Sequence, residues 1–193
     1  MSYQGAYNKI VHKLEQELSP KLTYHNLDHA KRVLESLDNH ILTLEMDPRK
    51  VELVRLAGIG HDIGFVEGHE NHELKGIQIL KPILAEEGYS QEEIHEISAM
   101  IWATKQENRP RTFMEKMLVD ADLAYLGSDN CQEVLKNLYD EWTSFERIPE
   151  DYPLFLENSI RFMEEHSYET DYAKAYNIKE RNMEELLMKL REE

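Results

Sequence analysis

The stretch Val51-Glu-Leu-Val-Arg-Leu-Ala-Gly-Ile-Gly-His-Asp-Ile-Gly64 decides how this chain is read. Wound at 3.6 residues per turn, Val51, Leu53, Val54, Leu56, Ala57, Ile59 and Ile63 leave almost no polar side. A helix that is apolar nearly all round belongs in the middle of a bundle, so its neighbours should be helices with one apolar face each. They are. Ile10, Val11, Leu14 and Leu18 stripe a segment that stops at Ser19-Pro20, and Ala30, Val33, Leu34, Leu37, Ile41 and Leu44 stripe another that ends near Asp47-Pro48. Asn26 is a good N-cap for that second helix, and Asp28 lies in its first turn, where negative charge suits the dipole. On the other side, Gly64, Gly68 and Gly76 surround a polar loop that gives way to a helix by about His72. A further helix spans about 91–104, another runs from Met114 towards Gly127, and a last one covers about 178–191. No segment alternates with period two. The expectation is an all-α domain over 1–193, with a motif-bearing core at about 23–127 and an acidic helical layer over 128–193.

Composition narrows the function. The 193 residues carry 38 Asp and Glu against 22 Lys and Arg, a formal charge of -16, so long nucleic acid is an unsuitable partner. Apolar residues make up 41%, too many for a disordered acidic chain. Cys131 is the single cysteine and has no internal partner, which suits a reducing cytoplasm. No apolar run approaches the roughly 20 residues of a membrane span, so a cytoplasmic protein without a membrane partner is expected. Nine His are present, and eight fall in the first 95 residues.

Those His and a few acids sit where apolar packing predicts neither. His29 points along the stripe of its helix, one turn before Val33. His61-Asp62 closes the most apolar helix, and Asp120 and Asp122 interrupt Met117, Leu118, Val119, Ala121, Leu123. An ionised carboxylate in such surroundings costs several kcal/mol unless it is paired or holds a metal. Any one of these His alone is more often a hydrogen-bonded core residue than a ligand. A divalent cation collecting all of them resolves the anomalies together.

The joint pattern resembles the HD-domain superfamily of metal-dependent phosphohydrolases, whose fold is an all-α bundle. The resemblance runs through His29, His61-Asp62 within Gly60-His61-Asp62-Ile63-Gly64, and Asp122 within Asp120-Ala121-Asp122-Leu123, covering about residues 23–127. It implies His29, His61, Asp62 and Asp122 as ligands of a divalent transition metal. A set this rich in imidazole suits Mn, Fe, Co, Ni or Zn better than Mg. Between the two late aspartates, Asp120 lies four residues after Lys116, a surface-type pair, and Asp122 lies four after Leu118 on the apolar side. Asp122 is therefore the preferred ligand, with Asp120 supporting the ligands from behind or taking its place.

Tyr24-His25-Asn26 is similar to a motif of cyclic-nucleotide phosphodiesterases, which implies His25 as the proton donor and His29 as a ligand. His72 in His72-Glu73-Leu74-Lys75-Gly76 is similar to a segment that adds a ligand for a second metal. The further His that often accompany it are replaced here by Thr104-Lys105-Gln106-Glu107-Asn108, so one metal or two both remain open. Lys105, Arg109 and Arg111 form a basic break that would suit anionic oxygens of a substrate. The expected function is hydrolysis of a small phosphate ester such as a nucleotide. Metal-activated water would attack, with His25 as general acid and Asp62 as bridge or water orienter. Two rival readings are a di-iron oxygenase of the same superfamily and a non-catalytic metal-holding module that senses a nucleotide or binds a partner.

Overall fold

The computed structural model describes residues 2–192. Among the described residues there are ten α-helices, two short 3-10 helices and no strand, so the fold is all-α. The chain forms two compact units. One holds the residues up to Ser19 with His25–Asp122, and the other holds Pro20–Tyr24 with the residues from Leu123 onward.

The first unit contains α1 (Tyr3–Glu17), α2 (Leu27–Ile41), α3 (Pro48–Gly60), α4 (His72–Glu86), α5 (Gln91–Ala103) and α6 (Phe113–Asp122). α3 is its axis and packs against α1, α2, α5 and α6. Leu53, Val54, Leu56, Ala57 and Ile59 are all buried there, as the near-absence of a polar side requires. Gly58 makes one of these approaches close, since a Cβ there would press on Leu37 Cδ1 of α2 at 2.5 Å. Local chemistry starts most of these helices. The Asn26 side chain accepts the N–H groups of Asp28 and His29. Asp47 accepts from Arg49 N–H ahead of Pro48, and Ser90 and Glu93 form a capping box for α5. Thr112 and Glu115 exchange the same two bonds at the start of α6.

Three helix ends differ from the sequence reading, and two of them shape the site. α2 stops at Ile41, so Leu44 reaches the core from the following turn. α3 stops at Gly60 instead of running to Ile63, because Gly58, Gly60 and Gly64 thin out its helix-forming residues. His61 becomes its C-cap, and the chain continues into a 3-10 helix at Ile63–Glu67. α6 stops at Asp122, short of the Gly127 expected.

The second unit contains α7 (Cys131–Ser144), α8 (Tyr152–Glu165), α9 (Asp171–Tyr176) and α10 (Glu180–Glu192). Tyr24, Leu126, Val134, Leu135, Phe155, Leu156, Ile160, Met163 and Leu186 share its core. Glu141 is fully buried and accepts the Tyr24 backbone N–H at 2.9 Å, which ties Pro20–Tyr24 to α7. Burial, reinforced by the Glu185 charge, pushes the Cys131 thiol up to about 12, so it stays protonated and inert. Among the described residues no helix is long and apolar enough to cross a membrane.

Candidate metal centre

Three helix termini of the first unit converge on one cluster. Asn26 caps α2 and thereby sets His29 in its first turn, with the imidazole buried. The early stop of α3 leaves His61 just past Gly60, where its Nδ1 lies 2.8 Å from the Gly58 carbonyl oxygen. A carbonyl can only accept, so Nδ1 carries the proton and Nε2 turns a lone pair inward. Fixing the tautomer through the second nitrogen is what metal-bound His residues ordinarily require. Asp62 follows, buried, and Asp122 is the last residue of α6.

The donor atoms meet at ligand spacing. His29 Nε2 and His61 Nε2 are 3.2 Å apart. Asp122 Oδ1 lies 3.1 Å from the first and 3.4 Å from the second. Asp62 Oδ2 lies 3.4 and 3.1 Å from the same two atoms. Neighbouring ligands around one ion with bonds of about 2.0–2.2 Å stand this far apart. Asp62 Oδ2 is moreover a buried oxygen with no hydrogen-bond partner of good geometry, a costly state unless a cation satisfies it. The residues fit a divalent ion. His29, His61 and Asp122 form the group able to hold one, and the Asp62 oxygen faces the same two imidazole nitrogens.

Electrostatics agree. Burial disfavours charge on His29 and His61, yet the carboxylates of Asp62 and Asp122 overcome it and raise both imidazoles above their ordinary range. Burial likewise opposes ionisation of Asp62 and Asp122, and the two imidazoles overcome it, holding both carboxyls below the usual range. Without an ion, protons must balance the two carboxylates. Two Nε2 atoms 3.2 Å apart cannot both carry a proton on the line between them, which a shared cation avoids.

Around the cluster, the structure brings some expected residues close and leaves others away. His72 opens α4, its Nδ1 3.2 Å from the His69 carbonyl oxygen. Its Nε2 faces Asp62 Oδ1 at 3.6 Å and Glu73 Oε1 at 3.5 Å. Gly64 permits this approach, because a Cβ there would fall on the His72 carbonyl oxygen. His25 sits with its ring centroid 6.0 Å from that of His29 and 6.4 Å from that of His72.

Asp120 is elsewhere: buried, with its charge acting on His40. This corrects the ground on which Asp122 was preferred. The Lys116 spacing marks Asp120 as a surface residue, yet it is buried while the Asp122 side chain keeps partial exposure, at 23%. The preference stands on geometry instead, since Asp122 is the one that reaches His29 and His61.

Ion pairs Arg49–Glu93 and Lys50–Glu96 join the starts of α3 and α5, and Lys105 lies just past the end of α5. Its ammonium is 3.2 Å from Glu107 and 5.5 Å over the Trp102 ring. Arg111 stands at the opposite end of α6 from Asp122, across a ten-residue helix of about 15 Å. The chain does not bring it to the cluster, and Arg109 is exposed in the preceding break. Sequence reading passed over Phe65, Glu73 and the Gly58 carbonyl. Only Phe65 had a signal, a large apolar residue one turn beyond His61. Comparison with models of known families, with curated proteins and with solved structures gave no match.

Proposed function

We propose that the first unit is a metal-dependent phosphohydrolase acting on a small phosphate ester such as a nucleotide. One observation carries the reading: two buried imidazole nitrogens and two carboxylate oxygens at ligand spacing, with His25 beside them but outside the donor set. His29, His61, Asp62 and Asp122 would hold a divalent ion, of the Mn, Fe, Co, Ni or Zn kind that imidazole-rich sites favour. Such an ion would lower the pKa of a coordinated water and polarise a phosphoryl oxygen.

The chain's own groups then have separate roles. Gly58 and the buried ring packing keep His61 from turning. Asp62 has a second oxygen, Oδ1, turned towards His72, and can accept a hydrogen bond from the attacking water. In the reaction a bond forms from the water oxygen to phosphorus, one water proton passing to solvent, while the bond from phosphorus to the leaving oxygen breaks. His25, protonated, gives its proton to that leaving oxygen and regains one from solvent. Lys105 would attract the anionic substrate by releasing Glu107.

Elemental analysis followed by a panel of phosphate esters and nucleotides with Mn, Co, Ni, Fe and Mg tests this. Wild type should hold about one ion or more per chain and turn over at least one ester. His61→Ala should lose both, and His25→Ala should keep the metal while losing on the order of 10²–10⁴ in turnover, most for poor leaving groups. Oxygen uptake with ferrous protein, in place of phosphate release, would favour the di-iron reading. A protein that takes up no metal, with His61→Ala equal to wild type, would sink both.

A further inference from the structure

We infer that Phe65 is a positioning residue of the proposed proton donor, holding the His25 ring at the angle from which it reaches the leaving oxygen. This rests on the phosphohydrolase reading and deepens it. The imidazole of His25 lies on the Phe65 ring with centroids 4.2 Å apart and planes 16° from parallel, a stacked pair. Offset stacking of this kind resists rotation about the bond that carries the ring.

Phe65 is itself held on several sides. It is buried at 5% exposure, in the 3-10 helix that leaves the ligand pair His61-Asp62. Its N–H bonds the Asp62 carbonyl at 3.0 Å, and its own carbonyl accepts the Gly68 N–H at 3.0 Å. His69 meets the ring edge-on at 5.1 Å and 84°, and His72 lies 4.2 Å away at 31°. The phenyl ring is thus clamped to the backbone that presents two of the proposed ligands. Stacking passes that placement on to His25, which stands just before the Asn26 cap of α2. A donor that must lie near the metal without binding it gains from an orienting contact on the ligand side. The geometry provides the guide from the ligand loop, so donor and ligands keep one register.

Two measurements test the inference. The first needs no turnover. In Zn-loaded protein the His25 ring protons, assigned with His25→Gln, should resonate upfield of those of exposed His12, because they lie in the Phe65 ring current. Phe65→Leu should remove the shift, and Phe65→Tyr should keep it. The second compares hydrolysis of phenyl and 4-nitrophenyl phosphodiesters by Mn-loaded protein. Phe65→Leu should keep its metal and KM, and lose about tenfold in kcat on the phenyl ester but far less on the 4-nitrophenyl ester. Phe65→Tyr should recover most of the loss, and in a His25→Ala background Phe65→Leu should cost nothing more. An unshifted His25 in wild type overturns the inference, even where Phe65→Leu fails to fold. An equal loss in both backgrounds overturns it too, while leaving the hydrolase reading intact. Wild type that splits neither ester, nor any member of the wider panel, overturns the hydrolase reading and the role of Phe65 together.

Discussion

His29 and His61 hold their Nε2 atoms 3.2 Å apart between two carboxylates, so protons and a divalent ion compete for one space. The sign of the competition follows from the direction of each shift. Imidazoles raised above 6.5 stabilise the metal-free fold fully below that value, and the contribution disappears as pH climbs through their raised values. Carboxyls held below 3.8 stabilise it above that value, and the contribution disappears as pH falls through their depressed ones. Metal-stripped protein should therefore melt lower on the alkaline side, where metal-loaded protein holds its Tm, since an ion binds better as protons leave. Calorimetric titration with Zn in two buffers of different ionisation enthalpy should show protons released on binding. A titration independent of buffer, with an alkaline Tm unaffected by stripping, would contradict the shared site.

At the scale of elements, the site depends on where helices stop and how closely they approach. Gly64→Ala should push the start of α4 away, since the added Cβ lands on the His72 carbonyl oxygen and close to Gly76 N, at 2.7 Å. Overpacking of this kind costs about 1–3 kcal/mol, readable as a fall in Tm, and His72 should move away from Asp62 in a structure of the variant. The far end of the bundle is tied by Arg49 and Glu93. The guanidinium beside Glu93, with the Ser90 N–H, lowers its carboxyl from 4.5 to about 2. The tie therefore acts above 4.5 and is lost as pH falls towards 2. Glu93→Gln should be destabilised at pH 7 by under about 1 kcal/mol, as both groups are solvent-screened. The gap from wild type should close between pH 4.5 and 2 in thermal melts.

For the whole molecule, metal should appear as stability. An ion that binds the folded chain and not the unfolded one adds about 2.7 kcal/mol at one hundred times its Kd, and a chelator takes it back. Thermal melts with and without Mn should show this for wild type and not for His61→Ala. The charge of -16 acquires two parts on this scale. Residues from 128 onward carry 17 acids and 8 bases, a surplus on the second unit, while two of the earlier acids, Asp62 and Asp122, sit inward among imidazoles.

Much of this molecule was written locally. Helix class, the central place of α3, and the capping of α2 by Asn26 follow from side-chain periodicity and hydrogen bonding within a few residues, so sequence alone determined them. His29 and His61-Asp62 stood out for the same reason, as polar groups on apolar faces. Tertiary structure decided what depends on distance. Burial of Asp120 contradicts its helical spacing from Lys116, because exposure belongs to the neighbours across a helix and not to the helix itself. Arg111 proved remote because α6 turns its two ends to opposite ends of the bundle. Phe65 gained a partner forty residues back in the chain, His25, which no local pattern could join to it. Periodicity marks most of the buried side of a helix, and packing decides the exceptions and what that side lies against.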